Sequence, residues 1–149
     1  MIILSYEKKI LTEEDIAIYE VSKMKVIAID PEPAELLRLT DSIRKIHSNV
    51  SIESFGDPLT AVKFVYGNRV DEIYSVLEMK RMDGFQVARL LLSKYPGIRF
   101  RFIVDRPAEC TEALCAIAAG FVFRPVSKES LLQAQGDLTP ARHERANKG

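Results

Sequence analysis

Only two cysteines occur in the 149 residues, Cys110 and Cys115, five apart in an apolar stretch of helical character. That supplies neither a disulfide framework nor a cysteine-rich metal centre, and the pair reads as small core side chains. Histidine is as scarce. His47 fits a surface position at a helix C-terminus, where the dipole favours it, and His143 lies in a polar tail without a partner at metal-ligand spacing. Net charge is absent, because 21 Lys and Arg balance 21 Asp and Glu. Broad, non-specific binding of nucleic acid by this chain is therefore not expected. No apolar run is long enough to span a bilayer, and the opening Met1–Leu4 meets Glu7, Lys8 and Lys9 before a signal-peptide core can form. A reducing cytoplasm is the expected compartment. No glycine-rich phosphate loop follows the first apolar run. Pro31-Glu32-Pro33 stands there instead, which argues against a small nucleotide-binding enzyme.

What the chain does have is 47% hydrophobic residues, enough to build one ordinary core in a chain of this length. They are laid out in alternation. Lys25–Asp30 (KVIAID) is a short apolar run ending in an acid, as a buried parallel strand does. Pro33 opens Ala34–Ile46, where Leu36, Leu37, Leu39, Ile43 and Ile46 recur at helical spacing. Val50–Phe55 reads as a strand, and Asp57-Pro58 starts a helix closed by Gly67-Asn68. Val70–Leu77 is a third strand, and Gly84-Phe85 leads into a helix over Gln86–Lys94 that Tyr95-Pro96-Gly97 stops. Arg99–Val104 is a fourth strand, Pro107–Ala119 a helix, Phe121–Phe123 a fifth strand, and Ser127 caps a last helix over Lys128–Gln133. Five strand–helix units in succession predict an α/β fold, a doubly wound five-stranded parallel sheet with right-handed crossovers. Arg101 is out of place in a central parallel strand. Either that strand is shifted or its face is exposed, in which case Arg99, Arg101 and Arg106 form a basic edge.

In such a sheet a ligand crevice lies beyond the carboxyl ends of the strands. Those ends carry Asp30 and Glu32, Val76 and Glu78, Asp105, and Arg124-Pro125. The runs KVIAIDPEPAELL, FGDPLTAV, EMKRMDGFQVARLL and GFVFRPVS, in this order over Met24 to Gln133, resemble the bacterial response-regulator receiver domain. The fold so implied is the CheY-like, flavodoxin-like (βα)5 arrangement. The flavour is closest to receivers placed ahead of LytTR-type DNA-binding domains.

The resemblance implies a site, and several of its positions carry unexpected residues. A working receiver holds Mg²⁺ with an acid pair after the first strand, a phosphoacceptor aspartate and a backbone carbonyl two residues beyond it. Here Pro31 interrupts the pair, leaving Asp30 and Glu32; the acceptor position is Val76 and the carbonyl is that of Glu78. The switch hydroxyl falls on Val104 or Asp105, the switch aromatic on Phe121, and the phosphate-sensing lysine on Arg124, followed by the matching Pro125. A carboxylate nucleophile is needed for an aspartyl phosphate, and valine has no oxygen. Mg²⁺ affinity is expected to be lost or weak, with no catalytic residue and no other cofactor. Arg124 is expected to tie together Asp30, Glu32 and Asp105.

The implied function is a phosphorylation-independent pseudo-receiver: not an enzyme but a protein-interaction module in two-component signalling or transcriptional control. The alternatives are an active phosphoacceptor using a displaced acid, Glu78 or Asp83, and a truncated LytTR-type regulator without its DNA-binding domain. Implied partners are a histidine kinase, an output protein or a second copy. The last strand and helix, with Phe121, Phe123 and Val126, carry either a homodimer face or core. Residues 24–135 form the receiver-like unit and residues 136–149 a polar tail or linker stub. Residues 1–23 are an extension or follow from a start codon set before Met24. Within them Thr12–Asp15 offers a helix cap, and Ile16–Val21 alternates like a strand that adds to a sheet edge.

Overall fold

In the computed structural model, the described residues are 2–4 and 9–136. A short hairpin of β1 (Ile2–Leu4) and β2 (Lys9–Leu11) precedes α1 (Glu13–Ser22). The Thr12 hydroxyl accepts from the Asp15 amide and the Asp15 carboxylate from the Thr12 amide, both at 3.1 Å, so the expected cap forms. It nucleates a helix rather than an edge strand over Ile16–Val21. Alternation over six residues is outweighed by a reciprocal cap that satisfies two terminal amides.

Then follow β3 (Met24–Ile29), α2 (Pro33–Ile46), β4 (Val50–Phe55), α3 (Pro58–Tyr66), β5 (Glu72–Val76), α4 (Gly84–Lys94), β6 (Arg99–Val104), α5 (Glu112–Ile117), β7 (Gly120–Phe123) and α6 (Lys128–Ala134). The last five strands form one parallel sheet in the order β4-β3-β5-β6-β7. The order reverses beside β3, which places a crevice above β3 and β5, as in doubly wound sheets.

Alternate residues of each strand feed two cores. Ile27, Ile29, Ile73, Phe100, Phe102 and Val104 meet Ala61, Val65, Val87, Leu91 and Leu114 from α3, α4 and α5. Val26, Ala28, Tyr74, Val76, Ile103 and Val122 meet Leu39, Ile43, Leu131 and Ala134 from α2 and α6. Both faces are covered, which is why the strands read as nearly continuous apolar runs.

Three further expectations change. The helix expected over Pro107–Ala119 is divided. The Glu109 carboxylate turns back to accept from the Asp105 and Arg106 amides, at 2.6 and 2.9 Å, closing a 3-10 turn over Pro107–Glu109. Thr111 then caps α5 afresh through the Leu114 amide. Arg101 is the second correction. Its strand is neither shifted nor exposed: Arg101 is 2% accessible and its Nη1 lies 2.9 Å from Glu72 Oε2, itself buried on β5. Arg101 Nε donates to the Ala134 carbonyl at the end of α6, and Arg99 Nε donates to Glu72 as well. Of the three arginines expected at a basic edge, Arg101 is thus internal and Arg99 reaches Glu72 from an exposed position, while Arg106 stays exposed and apart from this pair. His47, the C-cap residue of α2, is half-buried rather than on the open surface, its Nε2 3.9 Å from Glu72 Oε1. Burial and the neighbouring Glu72 push the Tyr74 phenol up to about 12, so its hydroxyl stays neutral while accepting from Gln135 Nε2 at 2.9 Å. Cys110 and Cys115 are free and half-buried against the core. His143 and the rest of the polar tail beyond Gly136 lie outside the described residues.

Candidate functional site

The crevice above β3 and β5 is a cavity of about 440 Å³. Its floor is Val76, Leu77 and Ile103; its walls carry Asp30, Pro31, Glu32, Glu78, Asp105, Arg106, Glu109 and Arg124. Strand register explains the gathering. Ile29 pairs with Ser75, Val76 with Ile103, and Val104 with Phe123, so the residues just past each strand end emerge at one rim.

Val76 is 5% exposed and packs among Val26, Ala28 and Ile103. Its burial contributes roughly 1.5–3 kcal/mol, and it brings no oxygen to the cavity. Of the two residues that the switch hydroxyl falls on, Val104 is buried on the far face of the sheet and Asp105 lines the crevice. Phe121 and Val126 are buried in the two cores, and Phe123 is half-buried. The Arg124-Pro125 peptide bond is cis.

Arg124 gathers part of the set expected for it. Its Nη1 lies 3.2 Å from Asp105 Oδ1 and its Nε 4.0 Å from Glu35 Oε1. Glu35 was not anticipated. It stands one turn from Glu32 on α2, and helical spacing was the available signal. Asp30 feels Arg124 electrostatically without a direct bond, and Glu32 forms no ion pair with it among the described residues. Asp105 is well exposed, so its pair with Arg124 is worth no more than about 1 kcal/mol.

Asp30 is 5% exposed and its Oδ1 accepts from the Glu32 amide at 2.9 Å. Burial pushes its carboxyl above the ordinary value of 3.8, and the Glu32 amide and the Arg124 guanidinium offset this only in part. The folded protein therefore holds the Asp30 proton more tightly than the unfolded chain does. That contribution is full below pH 3.8 and is lost as pH rises through the folded value. Asp30→Asn should accordingly raise stability at pH 7. The gain should vanish below the unfolded value; urea titrations at pH 7 and pH 3 that give the same difference would contradict this.

A second feature closes the loop beyond β5. Arg81 has φ 74°, in the left-handed region, where a side chain other than glycine is uncommon. Its Nη2 lies 2.7 Å from Asp57 Oδ1, and Asp57 also accepts from the Thr60 amide and hydroxyl as the N-cap of α3. Partial burial works against ionisation of Asp57, but the Thr60 hydrogen bonds and the Arg81 guanidinium outweigh it and lower the pKa. At the loop's end Asp83 and Gln86 form a reciprocal cap on α4, and the Gly84 amide donates to Leu77 O at 2.8 Å. Glu78 lines the crevice; Asp83 does not.

No protein-family model matches the sequence, and no relative is found among curated proteins. Solved structures do match. The chemotaxis response regulator CheY4 of Vibrio cholerae superposes with a TM-score of 0.66 at 22% identity, over 74% of this chain and 94% of that one. The response regulatory domain of mrkE from Klebsiella pneumoniae gives 0.63 at 24% identity, over 81% and 99%. The signal receiver domain of NarL from Mycobacterium tuberculosis gives 0.61 at 23%, over 84% and 97%. These likenesses, together with the strand order and the crevice, establish that the chain has the CheY-like fold of response-regulator receiver domains.

Proposed function

We propose that this chain is a receiver-fold protein-interaction module of bacterial signalling or transcriptional control that works without phosphorylation and is not an enzyme. The observation that carries this reading is Val76, buried at the floor of the crevice where a receiver's acceptor carboxylate would stand. A carbon side chain cannot form the acyl phosphate. The surroundings agree with it. Mg²⁺ asks for octahedral oxygen ligands including one or two carboxylates. Here Asp30 is a single buried acid with one oxygen already held by the Glu32 amide, and Pro31 separates it from Glu32. Among the described residues no three Asp, Glu, His or Cys side chains converge as a metal centre would need. The residue set does not fit the ion. Arg124, where a phosphate-sensing lysine would be, is occupied with Asp105.

Such a module acts through its surface, on a kinase, an output protein or a second copy, and a reducing cytoplasm is the compartment this role requires. No helix of the described residues is long and apolar enough to cross a membrane. The kinship in flavour to LytTR-type regulators belongs to the same proposal and rests on the sequence resemblance alone. Incubation with acetyl phosphate and Mg²⁺ followed by intact-mass measurement should leave the mass unchanged. An adduct of one phosphoryl group mapped to Glu78 would establish instead the reading in which a displaced acid is the acceptor; Asp83, held in its helix cap, is less available.

A further inference from the structure

Beside the crevice, on the other side of Leu77, lies a second concavity of about 460 Å³ between the N-terminal ends of α4 and α5. Its size falls within the range of pockets that enclose a ligand group or an anchoring side chain. Thr111, the N-cap of α5, and Ala113, both small, line it together with the larger Phe85 and Leu77. Leu114 closes the bottom.

The rim is chemically one-sided. Glu78, Asp83 and Glu109 are its charged members, all carboxylates, and neither Arg89 nor Arg106 lines it. Asp83 and Glu109 are fixed in place by the backbone amides they cap, at 2.8 Å from Gln86 and at 2.6 and 2.9 Å from Asp105 and Arg106. Glu78 has no hydrogen bond or ion pair among the described residues and is exposed. An apolar hollow bordered by three held or waiting carboxylates attracts cations and repels acidic surfaces.

We propose that this concavity is a docking site for a segment of a partner protein that inserts an apolar side chain and places lysine or arginine beside it. The proposal rests on the reading of the chain as an interaction module and names the chemistry of the partner. The apolar group supplies the buried anchor, and the flanking cations meet Glu78, Asp83 and Glu109. Cationic flanks also speed encounter, which makes the association sensitive to salt.

Three fluorescein-labelled short peptides test it against the full chain: a central Phe-Leu flanked by lysines, the same core flanked by glutamates, and lysine flanks around a serine core. The first should bind, with amide shifts confined to residues 77–85 and 109–114 in two-dimensional NMR, and weaken as NaCl rises. Glutamate flanks or the serine core should each weaken binding by roughly tenfold or more. Ala113→Arg, at an exposed position, should abolish binding while leaving the melting temperature unchanged. Glu78→Lys, also exposed, gives an independent check. No binding of the first peptide at millimolar concentration, equal binding of any two peptides, or shifts mapping elsewhere would overturn the proposal. None of these results bears on the acetyl phosphate experiment, which reads the neighbouring crevice, so the two ideas fail separately.

Discussion

Replacing Glu72 by leucine is expected to cost about 3–5 kcal/mol of folding free energy. Glu72 is 2% exposed and is the carboxylate facing Arg101, Arg99 and His47. Arg99 is half exposed and can turn to water. Arg101 cannot: it is 2% accessible, its Nε is committed to the Ala134 carbonyl, and its guanidinium lies 5.7 Å from the Tyr74 ring centroid. Arg101 Nη1 approaches Glu72 as an ion pair but lacks the alignment of a hydrogen bond. Without Glu72 a permanent cation is left in the core, and arginine does not shed its proton to escape.

The companion experiment separates the cost of a broken pair from the worth of an intact one. Glu72→Leu combined with Arg101→Met should return to within about 1 kcal/mol of the parent, because a packed apolar pair need not be weaker than a buried ion pair. Urea unfolding of the two single variants and the double variant supplies the cycle. A Glu72→Leu protein within 1 kcal/mol of the parent would mean that water reaches Arg101 and that the cluster is not closed. A second consequence is spatial. Arg101 and Gln135 hold the end of α6 onto β6 and β5, and so the single-variant damage should appear first as loss of amide protection in α6.

The Glu72–Arg101 pair also marks where sequence reading stops. The strands and most helices were legible because their signals are local: Pro33 in the first turn of α2, Asp57 before Pro58, Gly84-Phe85 at the start of α4, and Ser127 ahead of α6. Arg101 drew attention by its type alone. Its partner lies on the neighbouring strand, and only the register that pairs Glu72 with Arg99 and Tyr74 with Arg101 brings them together. Periodicity treats a charge in a strand as exposed, whereas a paired charge is at home inside. The division of the helix before α5 was hidden for a related reason. Glu109 suits a helix by propensity, yet here its side chain satisfies two amides upstream and ends the turn. At the crevice, the positions of Asp30, Val76, Asp105 and Arg124 were accessible through strand ends in sequence order. The Glu35 contact and the Arg81–Asp57 bridge were not, since each joins loops or helices distant in the chain or depends on a left-handed backbone.

Gly84→Ala carries the second large effect, and its sign tests the packing of the loop beyond β5. By helix propensity alone the substitution should stabilise α4, by up to about 1 kcal/mol. Gly84 occupies the first turn of α4, however, where the helix abuts the end of β5. A Cβ there would overlap the Val76 carbonyl oxygen and stand 3.2 Å from the Val76 carbonyl carbon and 3.3 Å from Leu77 Cα. All three atoms are backbone, so no side chain can swing aside. The Gly84 amide is bonded to Leu77 O at 2.8 Å, which fixes the approach from the other direction. Relief therefore requires α4 to move off the strand end, and the expected result is a loss of about 2–3 kcal/mol, typical of an overpacked site. Chemical denaturation of the alanine variant decides between the signs. Unchanged or increased stability would show that α4 yields freely at its N-terminus. In the expected case the displacement falls on Leu77–Asp83, the segment that separates the crevice of Asp30 and Val76 from the concavity of Phe85 and Ala113. Both walls then change together, so the close approach at glycine is what keeps the two sites in register with each other.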